Sequence, residues 1–71
     1  MPSRTLGFVH QDIDVLIVGY EINGGWRMAV ELRDGETTEL IRDTANVYPD
    51  FESLSSSAMW LVNSKLTQQK N

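Results

Sequence analysis

The sequence predicts an α+β fold: a three-stranded antiparallel meander with one C-terminal helix packed on one face. An N-terminal edge strand extends the sheet if the first apolar residues pair, giving ββ(β)α order. Three observations point there. The stretch DVLIVGYEINGGWRMAVELRDG, from Asp14 to Gly35, places two β-type runs around a glycine-rich turn. A second turn signal follows at Asp34-Gly35. From Phe51 onward, apolar residues recur at helical spacing behind the helix-entry pair Pro49-Asp50.

Residues 1–5 are polar and predict a frayed start. Leu6, Phe8 and Val9 can cross the core or add a short edge strand, although Gly7 weakens a strand there. Gln11 and Asp12 form a turn into the first main strand, Ile13 to Ile22, which is rich in β-branched residues suited to a pleated surface. The second strand, Trp26 to Arg33, alternates: Trp26, Met28, Val30 and Leu32 on one face, Arg27, Ala29, Glu31 and Arg33 on the other.

Loop length sets the register between these strands, and a slip of one residue exchanges every face. A three-residue loop over Asn23-Gly24-Gly25 pairs Ile22 with Trp26, Tyr20 with Met28 and Val18 with Val30, and sets Glu21 opposite Arg27. A two-residue loop brings Glu21 beside Trp26. The side-chain pairing selects the longer loop. It assigns Leu16, Val18, Tyr20 and Ile22 to the helix side, and leaves Ile13, Val15, Ile17 and Ala29 on the other. For the third strand, Glu36 to Asp43, a three-residue loop is preferred because it pairs Arg27 with Asp43, at the cost of placing Glu31 opposite Glu39. Residues 44–50 form a connection. The helix runs from about Phe51 to Gln68, with Asp50 or Ser53 as N-cap. Phe51, Leu54, Ala58, Met59, Leu61, Val62 and Leu66 fall on its apolar arc, and Trp60 lies near the opposite side.

Seventy-one residues hold one domain. A chain of this size buries only about 60% of its unfolded surface, so extra stabilisation is expected. With no cysteine there is no disulfide, and a single histidine without thiolates excludes the usual structural zinc sets. Oligomerisation remains, and the chain is predicted to be a homodimer. The lack of cysteine fits a reducing compartment. No run approaches the ~20 apolar residues of a membrane span, and the first twelve residues lack a signal-peptide core, so a soluble cytoplasmic protein is expected.

No motif carries strong chemistry. His10 stands alone. Asp12 and Asp14 flank Ile13 and share a direction in an extended chain, an arrangement that can hold a cation but more often marks a solvated strand entry. Ser55-Ser56-Ser57 lacks a base and an oxyanion hole. Gly24-Gly25 is followed by neither lysine nor helix, so it is not a phosphate loop. The chain is therefore read as a non-enzymatic binding or regulatory protein without metal or cofactor. The formal charge of −4, ten acids against six bases, argues against long-range attraction to nucleic acid. Two rival functions are a nucleic-acid-associated module using the sheet face and a small acidic phage or mobile-element inhibitor of a host complex. Against the nucleic-acid module, Arg27 is expected to be neutralised by Glu21 and Asp43, and no aromatic is expected beside the arginines. Protein–protein contact is favoured, through Ile13, Val15, Ile17, Ala29 and the outward Trp60.

Overall fold

The computed structural model describes residues 3–69. Among these the order is β1 (Ser3–His10), β2 (Ile13–Ile22), β3 (Gly25–Asp34), β4 (Thr37–Tyr48) and α1 (Phe51–Gln69). The strands form an antiparallel sheet in the order β1-β2-β3-β4, a meander with the helix laid across one face. The N-terminal edge strand is present. Ser3, Arg4 and Thr5, expected to fray, pair with Tyr20, Gly19 and Val18; Met1 and Pro2 lie outside the described residues.

The β2–β3 register corrects the sequence reading. The turn has two residues, Asn23-Gly24, and Ile22 faces Gly25. Val15 therefore faces Leu32, Ile17 faces Val30, Gly19 faces Met28, and Glu21 faces Trp26. Backbone geometry explains the shorter turn. Asn23 and Gly24 have φ of 45° and 81°, and two successive positive φ values define the type I′ turn, whose twist matches that of the flanking strands. Gly25 is spent elsewhere: a Cβ at that position would overlap the Val47 side chain.

The three-residue β3–β4 loop preferred from the sequence does not form. Asp34 pairs with Thr37, leaving Gly35-Glu36 as the two-residue loop. Gly35 has φ of 60° and Glu36 is not in the left-handed region, the pattern of a II′ turn with glycine first. Ile41 consequently pairs with Val30 on the helix side, while Leu40 pairs with Glu31 on the far side. Neither the Arg27–Asp43 pair nor the Glu31–Glu39 pair forms. Met28 faces Asp43 and Trp26 faces Tyr48, with an irregularity between them. The strand thus continues through residues expected to be a connection.

That irregularity is held by one carboxylate. Asp43 Oδ1 accepts the backbone N–H groups of Ala45 and Asn46, each at 3.1 Å, and Oδ2 accepts the Tyr48 hydroxyl at 2.9 Å and Asn46 Nδ2 at 3.0 Å. The Arg27 guanidinium donates to the Thr44 carbonyl across the gap at 2.9 Å. These bonds satisfy backbone groups that the ladder leaves open.

Asp50 caps the helix. Its Oδ1 accepts the Ser53 N–H at 2.7 Å, and its carbonyl accepts the Leu54 N–H at 3.2 Å. The core is the layer between helix and sheet. Phe51, Leu54, Ala58, Val62 and Leu66 descend onto Val15, Ile17, Met28, Val30 and Leu32, and all are buried. Each such side chain contributes about 1.5–3 kcal/mol through removal from water, alanine less. Met59, placed on the apolar arc from sequence, is largely exposed. Among the described residues no helix is long and apolar enough to cross a membrane.

Candidate functional site

The five residues singled out as an apolar contact surface do not come together. Val15 and Ile17 are 2% and 0% exposed, packed beneath the helix. Ile13 shares their face of β2 and packs against the same core. Ala29 alone lies on the sheet face away from the helix, opposite Val18. Trp60 is 72% exposed on the outer side of the helix, as its spacing indicated. The cause is the register: shortening the turn by one residue turned β2 over relative to β3. Val15 and Ile17 are thereby buried beneath the helix, and Ile13 turns to the same side, where it remains partly exposed.

The uncovered face is built from the other half of each strand. Along β2 and β3 it carries Tyr20 beside Arg27, Val18 beside Ala29, Leu16 beside Glu31, and Asp14 beside Arg33. β4 adds Arg42 next to Ala29 and Leu40 next to Glu31. β1 adds Thr5, Gly7 and Val9. Leu40 is 54% exposed and Val9 68%, while the central Leu16, Val18 and Tyr20 are half-buried by their neighbours. Both sequence objections to a nucleic-acid surface change here. Tyr20 stands directly beside Arg27, and Glu21 and Asp43 lie on the helix side.

A second surface lies between β4 and the helix. Met28, Ile41, Tyr48, Ser57, Trp60 and Leu61 line a concavity of about 450 Å³, with Arg42, Asp43 and Asn46 completing its wall. At one end Lys65 Nζ meets Glu39 Oε2 at 2.7 Å; at the other lies the Asp43–Asn46–Tyr48 cluster. β4 is an edge strand, so its outer backbone groups are open to a further strand. The exposed indole of Trp60 borders the concavity.

Charges are tuned near the bulge and the helix cap. The Asp43 carboxyl is held below its ordinary value of 3.8, chiefly by the side-chain hydrogen bond from Asn46, against a smaller opposing effect of burial. Tyr48 is pushed above 10.0, by burial first and then by its bond to Asp43. Asp50 is lowered by the bonds it accepts from Ser53. The Asp43 and Asp50 shifts follow from bonds that shape the fold, and that of Tyr48 first from its burial.

The residues with chemical potential stay apart. The His10 ring lies 3.4 Å from the Gln11 amide on the surface. Asp12 sits in the β1–β2 turn with φ of 66°, and Asp14 points from the open face. The Ser55 hydroxyl donates to the Glu52 carbonyl. Among the described residues no group of acids and histidine has metal-binding proximity, and no buried side-chain polar atom lacks a partner. The residues missed from sequence are Tyr20, Leu16 and Val18 on the open face and Ile41 in the groove. The signal for the first three was Asn-Gly itself, the strongest two-residue hairpin dipeptide.

No family model, curated protein or solved structure matches the chain.

Proposed function

We propose that this chain is a non-enzymatic binding protein that acts through protein–protein contact as a homodimer, with Trp60 as its anchor. The observation carrying this reading is a large exposed indole on the border of a mostly apolar concavity of about 450 Å³. A two-fold interface uses the same patch on both copies, so it must be self-complementary. A projecting Trp60 next to a groove lined by Ile41 and Leu61 meets that requirement: each indole enters the other copy's groove. The open edge of β4 runs alongside, where two copies can also pair strand to strand.

Size supports the same reading. A standard interface buries about 800 Å² per partner, roughly one sixth of the 4840 Å² surface of this chain. That adds substantial burial to a single-layer core. Sedimentation equilibrium tests the proposal: a dimer is expected at tens of micromolar, and a monomer across that range removes it. The Trp60→Ser variant should sediment as a folded monomer with an unchanged circular dichroism spectrum. Loss of folded structure in that variant would make Trp60 a core residue and end its role as an anchor.

A further inference from the structure

We infer that the open face of the sheet binds single-stranded nucleic acid, with Tyr20 as a base-stacking platform and Arg27, Arg33 and Arg42 as phosphate contacts. This face lies on the opposite side of the sheet from the helix, and it meets the Trp60 groove only at the β4 edge, where Arg42 borders both. Charge is sorted between the two sides of the sheet. Among the described residues the open face holds three arginines against two carboxylates, Asp14 and Glu31, a balance of +1 in a chain of formal charge −4. Arg33 meets Glu31 at 3.5 Å and one Arg27 nitrogen donates to the Thr44 carbonyl, so a phosphate would compete with Glu31 for Arg33 and use the remaining donors of Arg27. The other acids occupy the turns, the helix side and the helix start.

The layout suits a single strand. Arg27 and Arg33 are six residues apart on β3, roughly 20 Å at ~3.3 Å per residue. Arg42 lies one strand over, beside Ala29. Tyr20, half-buried, sits opposite Arg27 in the register, and the short side chains of Val18 and Ala29 continue the surface between the charges. A flat aromatic face with flanking guanidinium groups stacks unpaired bases while the cations follow the backbone. Paired bases have no free faces to stack on the Tyr20 ring, so duplex is disfavoured. An acidic protein segment would satisfy the arginines but leave the Tyr20 ring unused.

Fluorescence anisotropy with a labelled eight-nucleotide oligothymidine tests the inference on the full chain. Binding is expected at 20 mM salt, with log K falling against log salt at a slope of about −2, the value for three contacts to a single strand at about −0.7 each. Arg33→Ala and Arg42→Ala should each make the slope shallower by about 0.7. Tyr20→Leu should weaken binding about 5- to 150-fold at unchanged slope, and Tyr20→Phe, which keeps the ring, should retain it. The Trp60→Ser variant should bind as the parent does, whatever its oligomeric state, so failure of the dimer reading and failure of this one are read separately. No binding at 20 mM salt overturns the inference. So does equal affinity for a duplex of the same length, or for a polyglutamate peptide, because neither uses the ring.

Discussion

Phe51 packs onto the bare Cα of Gly19. A Cβ there would lie 2.8 Å from Cδ1 and 2.9 Å from Cε1 of the ring, and 3.1 Å from Cδ1 of Leu54. Gly19 is thus the low point of the sheet on which the first helical turn settles. Phe51 is further fixed by the edge of Trp26, at 5.9 Å between centroids, and by the Arg4 guanidinium 4.6 Å above its ring. Gly19→Ala should overpack this contact and cost about 1–3 kcal/mol in urea denaturation, with Gly19→Val costing more. An unchanged midpoint for Gly19→Ala would mean the helix does not sit where described.

Neighbouring residues on β2 report the register. Ile17 is fully buried opposite Val30, whereas Val18 belongs to the open face opposite Ala29. Ile17→Ala should cost about 2–5 kcal/mol by removing core contacts and leaving a cavity. Val18→Ala should cost about 1 kcal/mol or less, the range of strand propensity and pair effects. The reverse ranking would restore the three-residue loop.

The β1–β2 turn holds avoidable strain. Gln11 and Asp12 have φ of 53° and 66°, in a region that costs an ordinary L-residue roughly 1–2 kcal/mol. The double change Gln11→Asn, Asp12→Gly installs the dipeptide already used at Asn23-Gly24, and should stabilise the fold by about 1 kcal/mol. Thermal unfolding reads this directly; a lower midpoint would contradict the turn geometry.

Acid should loosen the β4 bulge. The Asp43 carboxyl is lowered in the folded state by hydrogen bonds, so its stabilisation is fully present above the unfolded value near 3.8 and is lost as pH falls through the lower folded value. Tyr48, raised by burial and by Asp43, contributes in the opposite sense: its share is present below pH 10.0 and fades as pH rises through its higher folded value. The Asp43–Tyr48 bond therefore persists between those limits. Asp43→Ala should lower stability at pH 7 by about 1 kcal/mol and flatten the acid limb of the stability profile, measured by denaturation from pH 2 to 7. An acid limb identical to the parent's would remove Asp43 from this role.

Trp60 emits from water in the monomer and Trp26 from the edge of the core. On concentration from 1 to 100 μM the emission should shift to shorter wavelength as Trp60 leaves solvent. The shift should vanish in Trp60→Ser, and its absence in the parent would count against the dimer.

Much of the architecture could be read from local pattern. Ile13 to Ile22 is the strand expected, because β-branched residues and flanking turns mark it within ten residues. Asp50 caps the helix as its position after Pro49 implied, and the 51–54–58–62–66 spacing placed the buried stripe. These are properties of residues close together in the chain, where turn chemistry, capping and periodicity act directly. The sheet faces could not be read this way. Cross-strand side-chain pairs favoured one register by small increments, while the I′ geometry of Asn23-Gly24 and the clearance that Phe51 needs over Gly19 decided another. That choice moved Val15 and Ile17 into the core and brought Tyr20 beside Arg27 on the open face. Sequence by itself determined the two central strands, the order of the elements and the main buried positions of the helix, Phe51, Leu54, Ala58, Val62 and Leu66, but not the extent of β1 and β4. Tertiary structure decided which side of β2 the helix covers, because that depends on the fit of two surfaces distant in the chain, and a one-residue shift reverses it.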